Sequence, residues 1–305
     1  MTAPSPFLPD TQIQFAWDST SLGYFKECPR KYQLTILEGW RSSESSMHLV
    51  FGGHYAKAME RFFRWQVEFN LTHDETLTLV IWACLQDSYG WETGDTKKNR
   101  DTLIRSIVWY FHAYRDDVCK TVILADGSPA VELTYRWDTG IQVGSNIDHT
   151  YLLTGHLDRV VDFGGTTYIQ DQKTTGSTLS SYYFDQFNPD NQMTGYTLAG
   201  QVVFNLPVKG VMIDAAQIAV GFTAFSRGIT TRSNGQLEEW LHDFSFWMET
   251  ARRYAEANHW PMNEKSCNNY GKCTFHDICN KDSAVREAFL KTSFVKRYWN
   301  PLEVR

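Results

Sequence analysis

The spacing of apolar residues changes character along the chain. Between Phe51 and Phe69 they return at helical intervals, with Ala58, Phe62, Trp65 and Phe69 covering one side, so this stretch predicts an amphipathic helix opened by Phe51-Gly52-Gly53-His54. Two more helices are predicted over 73–89 and 98–119, the first with Leu77, Val80, Ile81, Cys84 and Leu85 as its core stripe. Cys84 and Cys119 read as buried thiols. Upstream, Ser19-Thr20-Ser21 before Leu22, Tyr24 and Phe25 has the form of a capped helix start, and Pro29 can begin a second segment reaching Leu37.

From Lys120 the period becomes two. Val122-Ile123-Leu124, the alternating Val131-Glu132-Leu133-Thr134-Tyr135-Arg136-Trp137 and the segment 155–174 predict a largely antiparallel meander. Gly164-Gly165 supplies the positive φ angles that a tight turn needs, so 155–174 is expected to be a hairpin. A helix over 188–206 starts at Asn188-Pro189-Asp190 and carries Gln192 and Tyr196 one turn apart. Strands are expected around 211–213 and 219–225, followed by a long helix over 237–258 with Trp240, Phe244, Phe246, Trp247 and Tyr254. Aromatics at that spacing most often belong to the core.

The hairpin carries chemistry. Asp158 lies on its incoming strand and Asp171 on its outgoing one, and the alternation of side chains puts Asp171 and Lys173 on one face. Two carboxylates and an ammonium suit a site that holds a hard divalent cation through oxygens while the lysine orients or deprotonates a water. Taken alone, the same pattern is a solvated hairpin with a cross-strand salt bridge. Glu132, among apolar and aromatic neighbours, either faces outward or joins these carboxylates. His54, in the first turn of its helix, is by itself a capping or packing residue, although two preceding glycines allow another backbone or a phosphate to approach.

Composition narrows the setting. The 305 residues suffice for a substantial core, no apolar run approaches the length of a membrane span, and 1–10 lacks the basic and apolar regions of a signal peptide. A cytoplasmic protein without membrane contact is expected, its six cysteines reduced. A net charge of −6 provides no global attraction to nucleic acid, so contact with DNA would rest on local clusters such as Arg30-Lys31, Arg252-Arg253 and Lys296-Arg297. Cys267, Cys273 and Cys279 crowd one short segment, and with Cys28 they make a set for a tetrahedral zinc site or a cubane iron–sulfur cluster; His276 is an alternative fourth ligand for zinc.

In chain order these blocks resemble the RecB-type nuclease domains of the PD-(D/E)XK superfamily, in the iron–sulfur branch that includes the AddB nucleases and the CRISPR-associated RecB-like exonucleases. Cys28-Pro29-Arg30-Lys31-Tyr32 resembles the first-cysteine motif, Gly52-Gly53-His54 the metal-histidine motif and Gly155-His156-Leu157-Asp158-Arg159-Val160 the GxxDRV motif. Asp171-Gln172-Lys173-Thr174 resembles the D/ExK strand, Gln192-Met193-Thr194-Gly195-Tyr196 the QxxxY helix, and the late cysteines the cluster motif. Two departures stand out. The late cysteines are spaced C-x5-C-x5-C, where the family often has two of them only two residues apart, and the DxK acid is Asp rather than Glu.

The resemblance implies a restriction-endonuclease-like α/β (α+β) core: a central mixed sheet flanked by helices, with an inserted helical lobe at 55–119, the catalytic sheet at 120–233 and a cluster segment at 260–282 closing onto Cys28, all within one nuclease domain spanning 1–305. It implies that His54, Asp158 and Asp171, helped by the Gln172 carbonyl, bind Mg²⁺ or Mn²⁺. Lys173 would position the attacking water, Gln192 and Tyr196 would steady the DNA strand, and Glu132 stands as a further candidate. Cys28, Cys267, Cys273 and Cys279 would hold a 4Fe-4S cluster as a staple, with zinc as the alternative. The implied activity is exonucleolytic hydrolysis of single-stranded DNA or DNA ends in recombination, repair or CRISPR spacer processing. No helicase phosphate loop is present, so unwinding would fall to a helicase or recombination partner. The rival reading is a noncatalytic iron–sulfur scaffold that binds DNA ends or a partner protein.

Overall fold

A computed structural model describes residues 4–43, 46–269 and 271–303, and only the backbone of Asn146 and Ile147. Its elements begin with β1 (Ala16–Trp17), α1 (Ser19–Glu27), α2 (Pro29–Tyr32, continued by a π-helical turn, Gln33–Leu37), β2 (Trp40–Ser42), α3 (Met47–Glu68), α4 (His73–Asp87) and α5 (Arg100–Ala113). Next come β3 (Cys119–Thr121), β4 (Val131–Val143), β5 (Asn146–Phe163), β6 (Thr166–Thr175), α6 (Ser181–Asp185), α7 (Asn191–Val202), β7 (Val208–Ile218) and β8 (Thr223–Thr231). After α8 (Asn234–Glu256) the chain ends with α9 (His276–Cys279), α10 (Arg286–Ser293) and β9 (Phe294–Lys296). Two compact units divide the chain, one made of 45–133 with 156–234 and the other of 1–44, 134–155 and 235–305.

In the first unit β6 is central. It pairs antiparallel with β5 from Phe163↔Thr166 to Arg159↔Gln170, and parallel with β7 from Thr167↔Val208 to Thr175↔Gln217. β8 runs antiparallel to β7, and β3 pairs antiparallel with β5, so the sheet is mixed, as expected. The expected turn is present, with φ of 62° at Gly164 and 82° at Gly165. One face is covered by α3 and α5, whose Phe51, Tyr55, Phe62, Ile107 and Phe111 form a buried core with Ala216 and Ile218 of β7. Phe62 stacks on Phe111 at 3.7 Å, and truncating such a ring to Ala costs about 3–5 kcal/mol. The other face carries α7, packed so closely that a side chain at Gly200 would run into Val208 and Ile169.

Caps fix the helix starts. Thr72 with Glu75 opens α4 and Asn99 with Thr102 opens α5, each exchanging hydrogen bonds between cap and third residue. The helix expected over 98–119 stops at Ala113, because Asp117 accepts the Cys119 N–H at 3.0 Å and Cys119 then enters a strand opposite Phe163. Cys84 and Cys119 are buried, as anticipated.

The other unit is built on aromatics. Trp17 of β1 stacks on Tyr32 at 5.4 Å, and Phe25 and Trp260 close around them. β1 pairs in parallel with the first half of β5, Ala16↔Leu152 and Trp17↔Leu153. A smaller core gathers Leu34, Trp40, Phe275, Ile278 and Leu290 beneath the cysteine segment. Among the described residues no helix is long and apolar enough to cross a membrane.

Candidate active site

The site begins where two strands part. The ladder between β5 and β6 ends at Arg159↔Gln170, and beyond it the Gln172 N–H donates to the Asp158 carboxylate, Oδ2, at 2.9 Å instead of to a backbone carbonyl. A strand residue presents its N–H and C=O to the same edge, so the Gln172 carbonyl faces this gap as well. The aspartate that the sequence placed on the incoming strand thus closes one side of an opening in the sheet.

Asp171 is only 1 % exposed, and its Oδ2 lies 2.6 Å from Lys173 Nζ on the face shared with α7. Lys173 also donates to Gln192 Oε1 at 3.2 Å, and Gln192 Nε2 donates to the Tyr196 hydroxyl at 2.8 Å. Asp190 caps α7 by accepting the Met193 N–H at 3.0 Å, which fixes the first turn and hence Gln192. Burial pushes Asp171 above the ordinary carboxylate range, and the neighbouring ammonium only partly offsets it. Burial works against the Lys173 charge, but Asp171 and Asp158 outweigh it and raise its pKa. Lys173 is therefore an ammonium at neutral pH: it can orient a water or a phosphate oxygen, but it is no base.

On the opposite face, Ala56, Met59, Glu60 and Phe63 of α3 line a small cavity together with Glu132, Asp158 and Gln172. Glu132 adopts φ of 51°, a conformation that costs a non-glycine residue about 1–3 kcal/mol and is tolerated mostly where a side chain must be aimed. Gln172 Oε1 is buried there without a hydrogen-bond partner. Glu60, ion-paired with Arg64 at 3.3 Å, was not among the residues expected from the sequence, yet it stands on the helix face that meets the strands. The signal was present: Ala56, Met59, Glu60 and Phe63 recur at i, i+3, i+4 and i+7, and Gly52 begins the same stripe, its side-chain position 3.7 Å from Thr174 Oγ1 of β6.

His54 is on a different flank of α3. Its neighbours are the Trp91 ring at 5.6 Å and the charges of Asp87 and Lys57, and burial lowers its pKa. Lys57 and Arg61, one and two turns on, both pair with Asp87. Because successive helical residues are about 100° apart, the stripe through Ala56 and Phe63 lies roughly half a revolution from His54. Among the described residues, no three His, Cys, Asp or Glu side chains stand close enough to hold a metal ion, so the structure does not bring His54 to Asp158 and Asp171.

In the other unit, Cys28, Cys267, Cys273 and Cys279 line one small pocket with His276, and all four thiols are free. Cys28 sits where α1 ends and α2 starts, and its Sγ accepts the Asn263 N–H at 3.4 Å. Asn263 and Ser266 both donate to the Glu27 carbonyl, tying the late segment to the early one. Burial raises the Cys267 and Cys279 thiols, and Cys273 and Cys28 add to the effect. The donor set fits a thiolate-bound metal centre in chemistry, although the thiols do not stand at ligating distances.

Comparison with known proteins bears on the fold and the chemistry together. A crystal structure from Eubacterium rectale, of a protein assigned as an exonuclease, superposes with a TM-score of 0.52 at 10% identity, covering 88% of this chain and 89% of that one. A second structure, SSO0001, aligns over 76% of this chain and 75% of its own at 12% identity, with a TM-score of 0.27, too low to inform the fold. Among curated proteins none matches the sequence. The family described as the PD-(D/E)XK nuclease superfamily matches residues 18–280, which include the parted strands, the Asp171–Lys173 pair and all four cysteines. The chain belongs to the PD-(D/E)XK nuclease superfamily.

Proposed function

We propose that this protein is a metal-dependent DNA exonuclease that hydrolyses single-stranded DNA or DNA ends. The observation that carries this reading is the buried Asp171–Lys173 pair beside the point where β5 and β6 part, with the Asp158 carboxylate on the Gln172 N–H and near enough to act on the Lys173 charge. Buried charges that face a gap cost free energy unless something outside the protein uses them. A divalent cation, Mg²⁺ or Mn²⁺, would polarise a phosphoryl oxygen and acidify a water there. Asp158, Asp171 and the Gln172 carbonyl would hold it once the cation draws them together. Of the α3 residues Glu60, which lines one cavity with Asp158, is better placed to join them than His54, whose neighbours are Trp91, Asp87 and Lys57. Lys173, held as an ammonium, orients the nucleophilic water, and Gln192, braced by Tyr196, steadies the strand beside the scissile phosphate. That the structural neighbour is assigned as an exonuclease favours attack from ends.

The test is loss of end-labelled single-stranded DNA that requires Mg²⁺ or Mn²⁺ and disappears in Asp171→Ala and Lys173→Ala while circular dichroism stays unchanged. Degradation that persists in both variants would assign the activity to another site. For the thiols we propose a 4Fe-4S cluster bridging Cys28 to the late segment. Anaerobically purified protein should then be brown with broad absorption in the visible, and a colourless protein holding stoichiometric zinc would replace the cluster by zinc.

A further inference from the structure

A cavity of about 260 Å³ opens between α3, α5, the start of α4 and β3, bordering the gap between the strands through Phe63 and Arg159. We propose that it binds a nucleoside monophosphate. This rests on the cavity alone and stands whether or not the protein cleaves DNA. Phe63, Phe111 and Tyr114 give it an aromatic wall, and Arg159, Lys120 and Arg115 bring positive charge to it. Arg159 is buried, 4 % exposed, with its guanidinium stacked 3.5 Å from the Phe63 ring centroid. Its three protein acceptors are neutral: Thr121 Oγ1 at 2.9 Å, Gln170 Oε1 at 2.9 Å and the Cys119 carbonyl at 3.1 Å. A buried guanidinium without a paired carboxylate is costly, and among the described residues no carboxylate pairs with this one.

The surrounding charges leave room for an anion. Asp117, the carboxylate on the lining, is held by the two terminal Arg227 nitrogens at 2.8 and 2.7 Å. Arg115, at the rim, is paired with Asp74, whereas Lys120 has no ion pair among the described residues. His73, also on the lining, has its Nε2 buried without a hydrogen-bond partner. A phosphate recruits arginine and lysine together, and a nucleobase stacks on aromatic rings regardless of its identity. The volume lies just below that of most small-molecule sites, a size that suits a single nucleotide rather than an oligonucleotide.

The experiment is calorimetric titration of the full chain with dAMP, alongside inorganic phosphate and deoxyadenosine. The expected result is saturable dAMP binding, tighter than either part alone. Lys120→Glu, at an exposed position of β3 opposite Asp162, should weaken it by about tenfold or more, the worth of one charge-assisted hydrogen bond, with a melting curve to confirm that the variant is folded. Asp171→Ala should leave it unchanged. No saturable binding up to about 1 mM, phosphate binding as tightly as dAMP, indifference to Lys120→Glu, or loss in Asp171→Ala would each overturn the proposal.

Discussion

The two faces of the sheet formed by β6 and β7 bury carboxylates at the same depth and treat them in opposite ways. On the α5 side, Asp214, 1 % exposed, accepts through one oxygen from Tyr110 at 2.5 Å, Gln170 at 2.7 Å and Arg227 at 3.0 Å, with Gln172 at 3.4 Å. Its other oxygen is buried and has no hydrogen-bond partner among the described residues. On the α7 side, Asp171 has one ammonium for company and opens toward a break in the ladder. A carboxylate that a guanidinium, a phenol and an amide all hold is structural; one paired with an ammonium alone is open to a ligand.

The sharpest way to break this comparison is to neutralise each acid in turn. Asp171→Asn keeps the shape and removes the charge, so activity should fall by about a thousandfold or more while thermal stability stays within about 1 kcal/mol of the parent. Asp214→Ala should do the reverse. It leaves the Arg227 guanidinium short of one of its two carboxylates and strips the acceptor from Tyr110 and Gln170, at a cost of about 3–5 kcal/mol, read from a urea melt. Residual activity per folded molecule should remain within about tenfold. If Asp214→Ala were instead inactive and fully stable, the two faces would have been assigned the wrong way round.

A smaller effect separates two residues of α3. Glu60→Gln should lower kcat/KM by about a hundredfold and shift the Mn²⁺ titration to higher concentration, as losing a carboxylate near a cation does. His54→Ala should change it by no more than about threefold, since His54 faces Asp87 and Trp91. The opposite ranking would return the histidine to the metal.

That contrast also marks how far the sequence could be read. The hairpin, its glycine turn and the shared face of Asp171 and Lys173 follow from alternation and turn chemistry alone, because period two fixes which side chains are neighbours. The pair Gln192 and Tyr196 was legible for the same reason, one helical turn apart. Assigning His54 required knowing which flank of α3 meets the sheet, and a motif of three residues does not carry that phase; the longer stripe through Gly52, Ala56, Glu60 and Phe63 does. The Asp158 carboxylate standing in for a backbone acceptor was not legible, since it depends on where two strands separate. The network around Asp214 was missed because its members, Tyr110, Asp117, Gln170, Asp214 and Arg227, come from five elements or loops that no local pattern joins.

The smallest predicted effect concerns pH and tests whether the α5 side is as closed as the distances suggest. Burial tends to raise the Asp117 carboxyl, but the hydrogen bonds and charge of Arg227 outweigh it and hold it below the ordinary value. A carboxyl depressed in the folded state contributes stability that is complete above its unfolded pKa, near 4, and that vanishes as pH falls through the folded value. Asp214 has the opposite sign: burial raises it, so it takes up a proton before an unfolded aspartate would and does not add to the acid loss. Asp117→Asn should therefore cost about 1–2 kcal/mol near pH 6, and the gap between parent and variant should close as the pH drops below about 3. Melting curves of both proteins across that window would show it. A gap that stays constant with pH would mean that Asp117 acts through packing rather than charge, and that Arg227 is neutralised by Asp214 alone.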